Sequence, residues 1–152
     1  HTLKSSAGSL RAVRMSGLAA LIESRGVAAA GELGAVAIQA GTAFLLCPES
    51  TISVVHRAAI GSEAAMPTAL TNLFTGRPAR GIVNRVMREL GPMSRGAPAF
   101  PLATSAIAPL RAKAEAAGSG DFSPLWCGQN VSGAREIPAA QVVRELGEPG
   151  LR

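Results

Sequence analysis

Along this chain the apolar residues fall into short runs separated by glycine, proline and small polar residues, and each run carries a period. Gly17 to Ile22 is almost wholly apolar and predicts a strand. Ser24 can cap a following helix, Arg25 to Leu33, whose alanines favour that state and which Gly34 can end. From Gly34 to Leu45 a second run sets Val36 and Ile38 among alanines, the pattern of a strand covered on both faces in a parallel sheet. Strand, helix and strand in succession make one βαβ unit, with a right-handed crossover expected. The second strand runs into the small polar turn Gln39-Ala40-Gly41-Thr42, and the rest of the chain is read outward from there.

Beyond it, Thr51 or Ser53 can cap a helix to about Ala65, with Val54, Val55, Ala58, Ala59 and Ile60 on its apolar side. Thr68 to Thr75 has strand character, and Gly76-Arg77-Pro78-Ala79-Arg80-Gly81 reads as a rigid turn. Ile82 to Leu90 predicts a helix, and the prolines and glycines of Gly91 to Pro101 predict an extended loop. A helix from about Thr104 to Ala117 follows, closed by Gly118-Ser119-Gly120. The helical spacing of Phe122, Leu125 and Trp126 predicts a helical cap buried in the core, a reading preferred to one that puts Gln129 near a ligand. Pro138 opens the last helix, to about Leu146. His1 to Arg14 carries Leu3, Leu10 and Val13 at helical intervals, but its serines and glycine weaken a helix.

Composition narrows the class. Hydrophobic residues are 47% of the 152 but aromatics only 3%, so the core is built from small aliphatic side chains, which suits helices packed closely on a sheet. The net charge of +5 comes from arginines spread along the chain, with lysine only at Lys4 and Lys113. No basic stripe with aromatic readers is visible, so no nucleic-acid partner is expected. No apolar run approaches the roughly 18 residues of a membrane span, so no membrane is expected either. Cys47 and Cys127 are too few and too far apart for a disulfide scaffold or a metal site, which points to a reducing, cytoplasmic setting.

Candidate chemistry gathers at the polar turn. The carboxyl ends of parallel strands are where ligands bind in α/β folds, and phosphates there are held largely by backbone N–H groups. Gln39 offers an amide, Gly41 a close backbone approach and Thr42 a hydroxyl. Arg77 and Arg80 could grip a carboxylate or phosphate, or fix their own loop. His56 has no carboxylate or nucleophile at a suggestive spacing and reads as a surface or packing residue.

Three segments, Gln39 to Leu45, Leu70-Thr71-Asn72-Leu73-Phe74-Thr75-Gly76-Arg77-Pro78-Ala79-Arg80-Gly81 and Gly120 to Gln129, stand in an order and spacing that resembles the nitronate monooxygenase family, once called 2-nitropropane dioxygenases. The resemblance runs from about Gly17 to Leu146. It implies flavoenzymes in which a TIM barrel binds FMN beneath a mostly helical cover and alkyl nitronates are oxidised with molecular oxygen, without a metal. Carried onto this chain, it gives an α/β fold made of the carboxyl-terminal part of a TIM (β/α)8 barrel, the last one or two βα units, plus that cover. Residues 1–66 would be the partial barrel with the FMN-phosphate turn, 67–101 a hairpin and loop covering region, and 102–152 helices packing on the barrel. Gln39, Ala40, Gly41 and Thr42 would meet the FMN phosphate. Ala19 and Ala20 fall where the family usually has glycines, and Ala20 joins the cofactor-binding set. The family's catalytic histidine belongs to earlier strands, so the resemblance nominates no catalytic residue here. The alternative is an inactive, truncated relative that hides its open sheet edge in a homo-oligomer or against another partner.

Overall fold

The computed structural model describes residues 27, 31–62, 65, 67–131 and 133–147. It divides into a unit of Thr51–Val131 and a unit that joins His1–Ser50 to Ser132–Arg152.

In the first unit, Ser53 stops the extended chain and its hydroxyl accepts from the His56 N–H at 3.4 Å, starting helix α1, Val54–Ile60. Gly61 closes that helix, five residues short of the expected Ala65. Strands β1, Thr68–Thr71, and β2, Ala79–Ile82, pair antiparallel, Thr68 opposite Ile82 and Thr71 opposite Ala79. The residues expected to be turn at 79–81 are therefore strand. The connection is tightened by the Thr71 hydroxyl accepting from Leu73 N–H at 3.1 Å and by the Asn72 carbonyl accepting from Gly76 N–H at 2.9 Å. Gly76 is required twice over. Its φ of +85° suits only glycine, and an added Cβ would lie 2.6 Å from the Pro98 carbonyl oxygen.

A third extended segment completes the ladder. The Leu125 carbonyl accepts from Ile82 N–H at 2.9 Å, Cys127 N–H donates to the Arg80 carbonyl at 3.1 Å, and Gly81 bridges Trp126 antiparallel. The helical cap expected over 121–129 is thus corrected to an extended segment. Pro124 explains the difference, because it lacks the N–H a helix needs and biases Ser123 away from helical angles. Gly81 makes the docking possible, since a Cβ there would sit 2.8 Å from the Leu125 oxygen.

Helix α2, Arg85–Leu90, starts later than the expected Ile82, because Asn84 breaks the run and caps it. Its side-chain oxygen accepts from Met87 N–H at 3.5 Å, while its amide nitrogen donates to the carbonyls of Gly120 and Ser123, both at 2.9 Å. Helix α3, Leu102–Ala116, ends at a glycine of φ +74°, Gly118, as its sequence predicts. Leu73, Phe74, Val86 and Met87 form the buried core, with Ala69, Val83, Ile107, Phe122 and Trp126 packed on it. Phe74 and Trp126 meet edge to face at 5.6 Å, so two of the three segments that carry the family resemblance interlock here.

In the second unit, Gly34 has φ +86° and its N–H donates to the Gly31 carbonyl at 2.9 Å, ending the expected helix, of which Val27, Gly31 and Glu32 are described as helical. The expected strand from Gly34 to Leu45 does not form. Residues 35–41 are irregular, Val36 is fully exposed at 103%, and Thr42–Phe44 is a 3-10 turn. A parallel strand exists only through its neighbours' hydrogen bonds, and its expected partner, Gly17 to Ile22, lies outside the described residues. The only sheet among the described residues is the β1–β2 hairpin. Helix α4, Ala139–Gly147, follows Pro138 and packs against the 3-10 turn. The Glu49 carboxylate accepts from Ala139 N–H at 3.0 and 3.2 Å, supplying from a distant residue the cap that Pro138 has no side chain to give. An ion pair between Arg135 and Glu145 also belongs to this unit. Among the described residues no helix is long and apolar enough to cross a membrane.

Candidate functional site

Four of the five residues expected to bind a cofactor are described, and they stand together in the turn. Gln39 and Gly41 are exposed and Ala40 and Thr42 half-buried; Ala20, with Ala19, lies outside the described residues. The turn is wound by the Gly41 carbonyl accepting from Phe44 N–H and the Thr42 carbonyl from Leu45 N–H, both at 3.1 Å. Gly41 has φ −116°, which any residue can adopt, and a Cβ built on it meets nothing within 4 Å. Neither backbone conformation nor internal packing therefore asks for glycine at this position. What the missing side chain leaves is open backbone beside a threonine hydroxyl and a glutamine amide, a surface that a phosphate can approach closely.

The two arginines of the hairpin serve the loop itself. Arg80 donates to the Thr68 carbonyl at 3.3 Å and to its hydroxyl at 3.2 Å. The Arg77 guanidinium lies 4.1 Å from the centre of the Phe100 ring. Neither forms an ion pair among the described residues.

His56 is buried, 7% exposed, and its Nε2–H donates to the Trp126 carbonyl at 2.9 Å. Burial holds its imidazole below the ordinary range, the Trp126 carbonyl and Glu115 pull it up, and Arg111 pushes it down. Glu115 accepts from Ser123 Oγ at 2.7 Å and from Arg111 Nε at 2.8 Å. Burial pushes that carboxyl up, but the two hydrogen bonds and the Arg111 charge outweigh it and hold the group low. Burial also pushes the Cys127 thiol up to about 11. His56 bonds to the backbone and Glu115 to Ser123 and Arg111, and among the described residues none of the buried side-chain nitrogen or oxygen atoms lacks a partner. That arrangement belongs to packing rather than to acid–base chemistry. No group of three His, Cys, Asp or Glu among the described residues could hold a metal.

The sequence reading missed Asn84 and the Arg111–Glu115–Ser123 group. Asn84 had a usable signal, since an asparagine directly before Arg-Val-Met-Arg-Glu-Leu marks a helix start. Glu115 and Ser123 had none, because their contact joins a helix to a loop.

Comparison with known proteins places these observations. A family model described as nitronate monooxygenase matches residues 12–148. A nitronate monooxygenase of Pseudomonas aeruginosa is 42% identical over 142 residues, covering 93% of this chain and 40% of the relative. A probable nitronate monooxygenase of Bacillus subtilis is 36% identical over 133 residues, 87% of this chain and 38% of the relative. A nitroalkane oxidase from Streptomyces ansochromogenes, solved by crystallography, superposes with a TM-score of 0.74 at 41% identity, covering 86% of this chain and 38% of the other. The chain thus spans about two-fifths of the length of these proteins, and their likeness gives it an α/β fold.

Proposed function

The chain belongs to the nitronate monooxygenase family, and from that premise we propose that it is the carboxyl-terminal part of a flavin enzyme that oxidises alkyl nitronates with molecular oxygen, with the Gln39–Thr42 turn as one side of an FMN-phosphate seat. The observation that carries the turn's role is the open space at Gly41, where glycine has no internal reason to stand. The residues fit the group. Gly41 lets a phosphate oxygen approach the backbone, the Thr42 hydroxyl and Gln39 amide can donate to it, and Ala40 adds a small neighbour and its own N–H. Ala20 would add a backbone N–H from the preceding strand. When bound, FMN supplies the redox chemistry, and this chain's part is to hold and orient its phosphate end. On this reading residues 1–66 contribute to the barrel while 67–101 and 102–152 cover it. The same reading places the protein in the cytoplasm, a reducing setting for the buried thiols of Cys47 and Cys127.

A second reading keeps a specific observation in its favour. Val36 is fully exposed within a run patterned for burial, which suits a truncated relative that associates through this segment with a second copy or a partner. Titrating the purified chain into FMN and following flavin fluorescence separates the two. The first reading expects saturable quenching, weakened about tenfold or more in Gly41→Val, and oxygen uptake on an alkyl nitronate once the chain is part of a full-length protein. Absence of quenching, with concentration-dependent self-association by sedimentation, would favour the second.

A further inference from the structure

Helix α4 is nine residues long, shorter than an isolated helix needs to persist in water, so its place depends on what holds it. Two of its ties run to the segment that begins at the candidate phosphate turn. It packs against the 3-10 turn Thr42–Phe44, and its first N–H, that of Ala139, donates to both oxygens of the Glu49 carboxylate. That carboxylate satisfies a donor the helix cannot use itself and sets a negative charge at the helix's positive end. Between the two ties the chain is wound into successive turns. The Gly41 carbonyl accepts from Phe44 N–H and the Thr42 carbonyl from Leu45 N–H at 3.1 Å, the Phe44 carbonyl from Cys47 N–H at 3.2 Å and the Cys47 carbonyl from Ser50 N–H at 3.0 Å. Leu46 and Cys47 in this stretch are buried, as is Val142 of α4. The candidate seat and Glu49 are thus joined by one hydrogen-bonded run of turns, and α4 meets that run near both ends. Upstream, residues 35–41 belong to no helix or strand.

We propose that Glu49 is a positioning residue for the phosphate seat: by capping α4 it fastens the helix over Thr42–Phe44, so that the seat and the helix open and close together. The inference rests on the reading of Gln39–Thr42 as that seat. A turn that holds an anion through backbone N–H groups binds best when those groups are already set, because ordering them on binding costs affinity. Glu49 does this at a distance, without touching the phosphate. The side chain is exposed, so replacing it removes the tie and leaves no cavity behind.

Amide hydrogen exchange of the purified full chain reads the coupling, first without ligand. Glu49→Ala should raise the opening equilibrium of Val142 and Val143 by about fivefold, the usual worth of a helix cap, and that of Phe44, Leu45 and Cys47 with it, while the amides of β1 and β2 keep their protection. Glu49→Gln keeps an acceptor oxygen for the Ala139 N–H and should stay within about twofold of the wild type. Loosening of α4 with Phe44 and Leu45 unmoved overturns the proposal. FMN then gives a readout that a purely structural cap would not move. At about ten times its dissociation constant it should lower the opening of Phe44, Leu45, Val142 and Val143 by about tenfold, because a ligand of the closed form protects whatever opens with its site. Riboflavin, which lacks the phosphate, should leave them unchanged at the same concentration. The α4 response to FMN should be lost in Glu49→Ala and retained in Glu49→Gln. FMN that protects Phe44 and Leu45 but not α4, or an α4 response that survives in Glu49→Ala, overturns the role of Glu49 and leaves the seat standing. FMN that protects neither segment defeats the seat reading and the role of Glu49 with it. Should Glu49→Ala fail to fold, the wild-type response to FMN against riboflavin decides alone.

Discussion

Asn84 ties helix α2 to the carbonyls of Gly120 and Ser123 within the Thr51–Val131 unit, and replacing it gives a graded test of how that unit is held. Its oxygen caps α2, and its amide nitrogen holds the carbonyls of Gly120 and Ser123, fixing the loop that leads into the third extended segment. Asn84→Ala loses all three. With about 1 kcal/mol for the cap and about 1 kcal/mol for each amide bond, the expected loss is ~3 kcal/mol, rising if water cannot reach the abandoned carbonyls. Asn84→Ser keeps a capping oxygen and should recover about 1 kcal/mol of that. Asn84→Asp keeps the cap but turns a carboxylate toward two carbonyl oxygens, so above pH 5 it should be the least stable of the three. The chain has one tryptophan, Trp126, and it lies in this unit, so urea unfolding followed by tryptophan fluorescence reports the unit alone. With a urea slope of about 1.5 kcal/mol per molar, Asn84→Ala should lower the midpoint by ~2 M. A loss under about 1 kcal/mol for alanine, or an aspartate variant more stable than the alanine one, would refute the assignment of the amide's two bonds.

Two further outcomes follow from the same unit. Gly81→Val should lever the 125–127 segment off β2, because even a Cβ would stand 2.8 Å from the Leu125 oxygen; Trp126 emission should shift to the red, and an unshifted, equally stable variant would show that the segment can dock without that gap. The Cys127 thiol, raised to about 11 by burial, should resist alkylation at pH 8 in the native protein and react once urea unfolds it, as peptide mapping would read; rapid native labelling at Cys127 would contradict its placement.

What could be read in the sequence was local. Ser53, Gly34, Gly118 and Pro138 are chemical punctuation, and each acts where it stands: a hydroxyl that caps, two glycines that turn left-handed and a proline at a helix entrance. The errors arose where the deciding partner is distant in sequence. Trp126 has helical spacing to Phe122, yet its backbone neighbours bond to residues some 45 positions earlier, at Arg80 and Ile82. Arg80 looked like part of a turn until the pairing with Leu70 made it strand. The Gly34–Leu45 run has the composition of a buried strand, and composition cannot provide the neighbouring strands that make one. The candidate phosphate turn was legible because Gln39, Gly41 and Thr42 act through their own backbone and side chains. The Asn84 bonds to Gly120 and Ser123, by contrast, span more than thirty residues and left no trace in local pattern.

The Arg80 guanidinium has one more effect. Since Arg80 and Ile82 direct their backbone groups toward Leu125 and Cys127, the hydrogen bonds of β1 to β2 fall to Ala69 and Thr71, and Thr68, Leu70 and Asn72 turn theirs to the outer edge. The Thr68 carbonyl is taken by Arg80 and the Asn72 N–H by the Pro92 carbonyl at 3.3 Å. Of the outward-facing groups of β1, those of Leu70 and the Thr68 N–H are left to recruit a foreign chain, too short a template for edge-to-edge growth. Edge-to-edge pairing at β1 is disfavoured, and the hairpin that carries much of the family resemblance is shielded there by one of its own arginines.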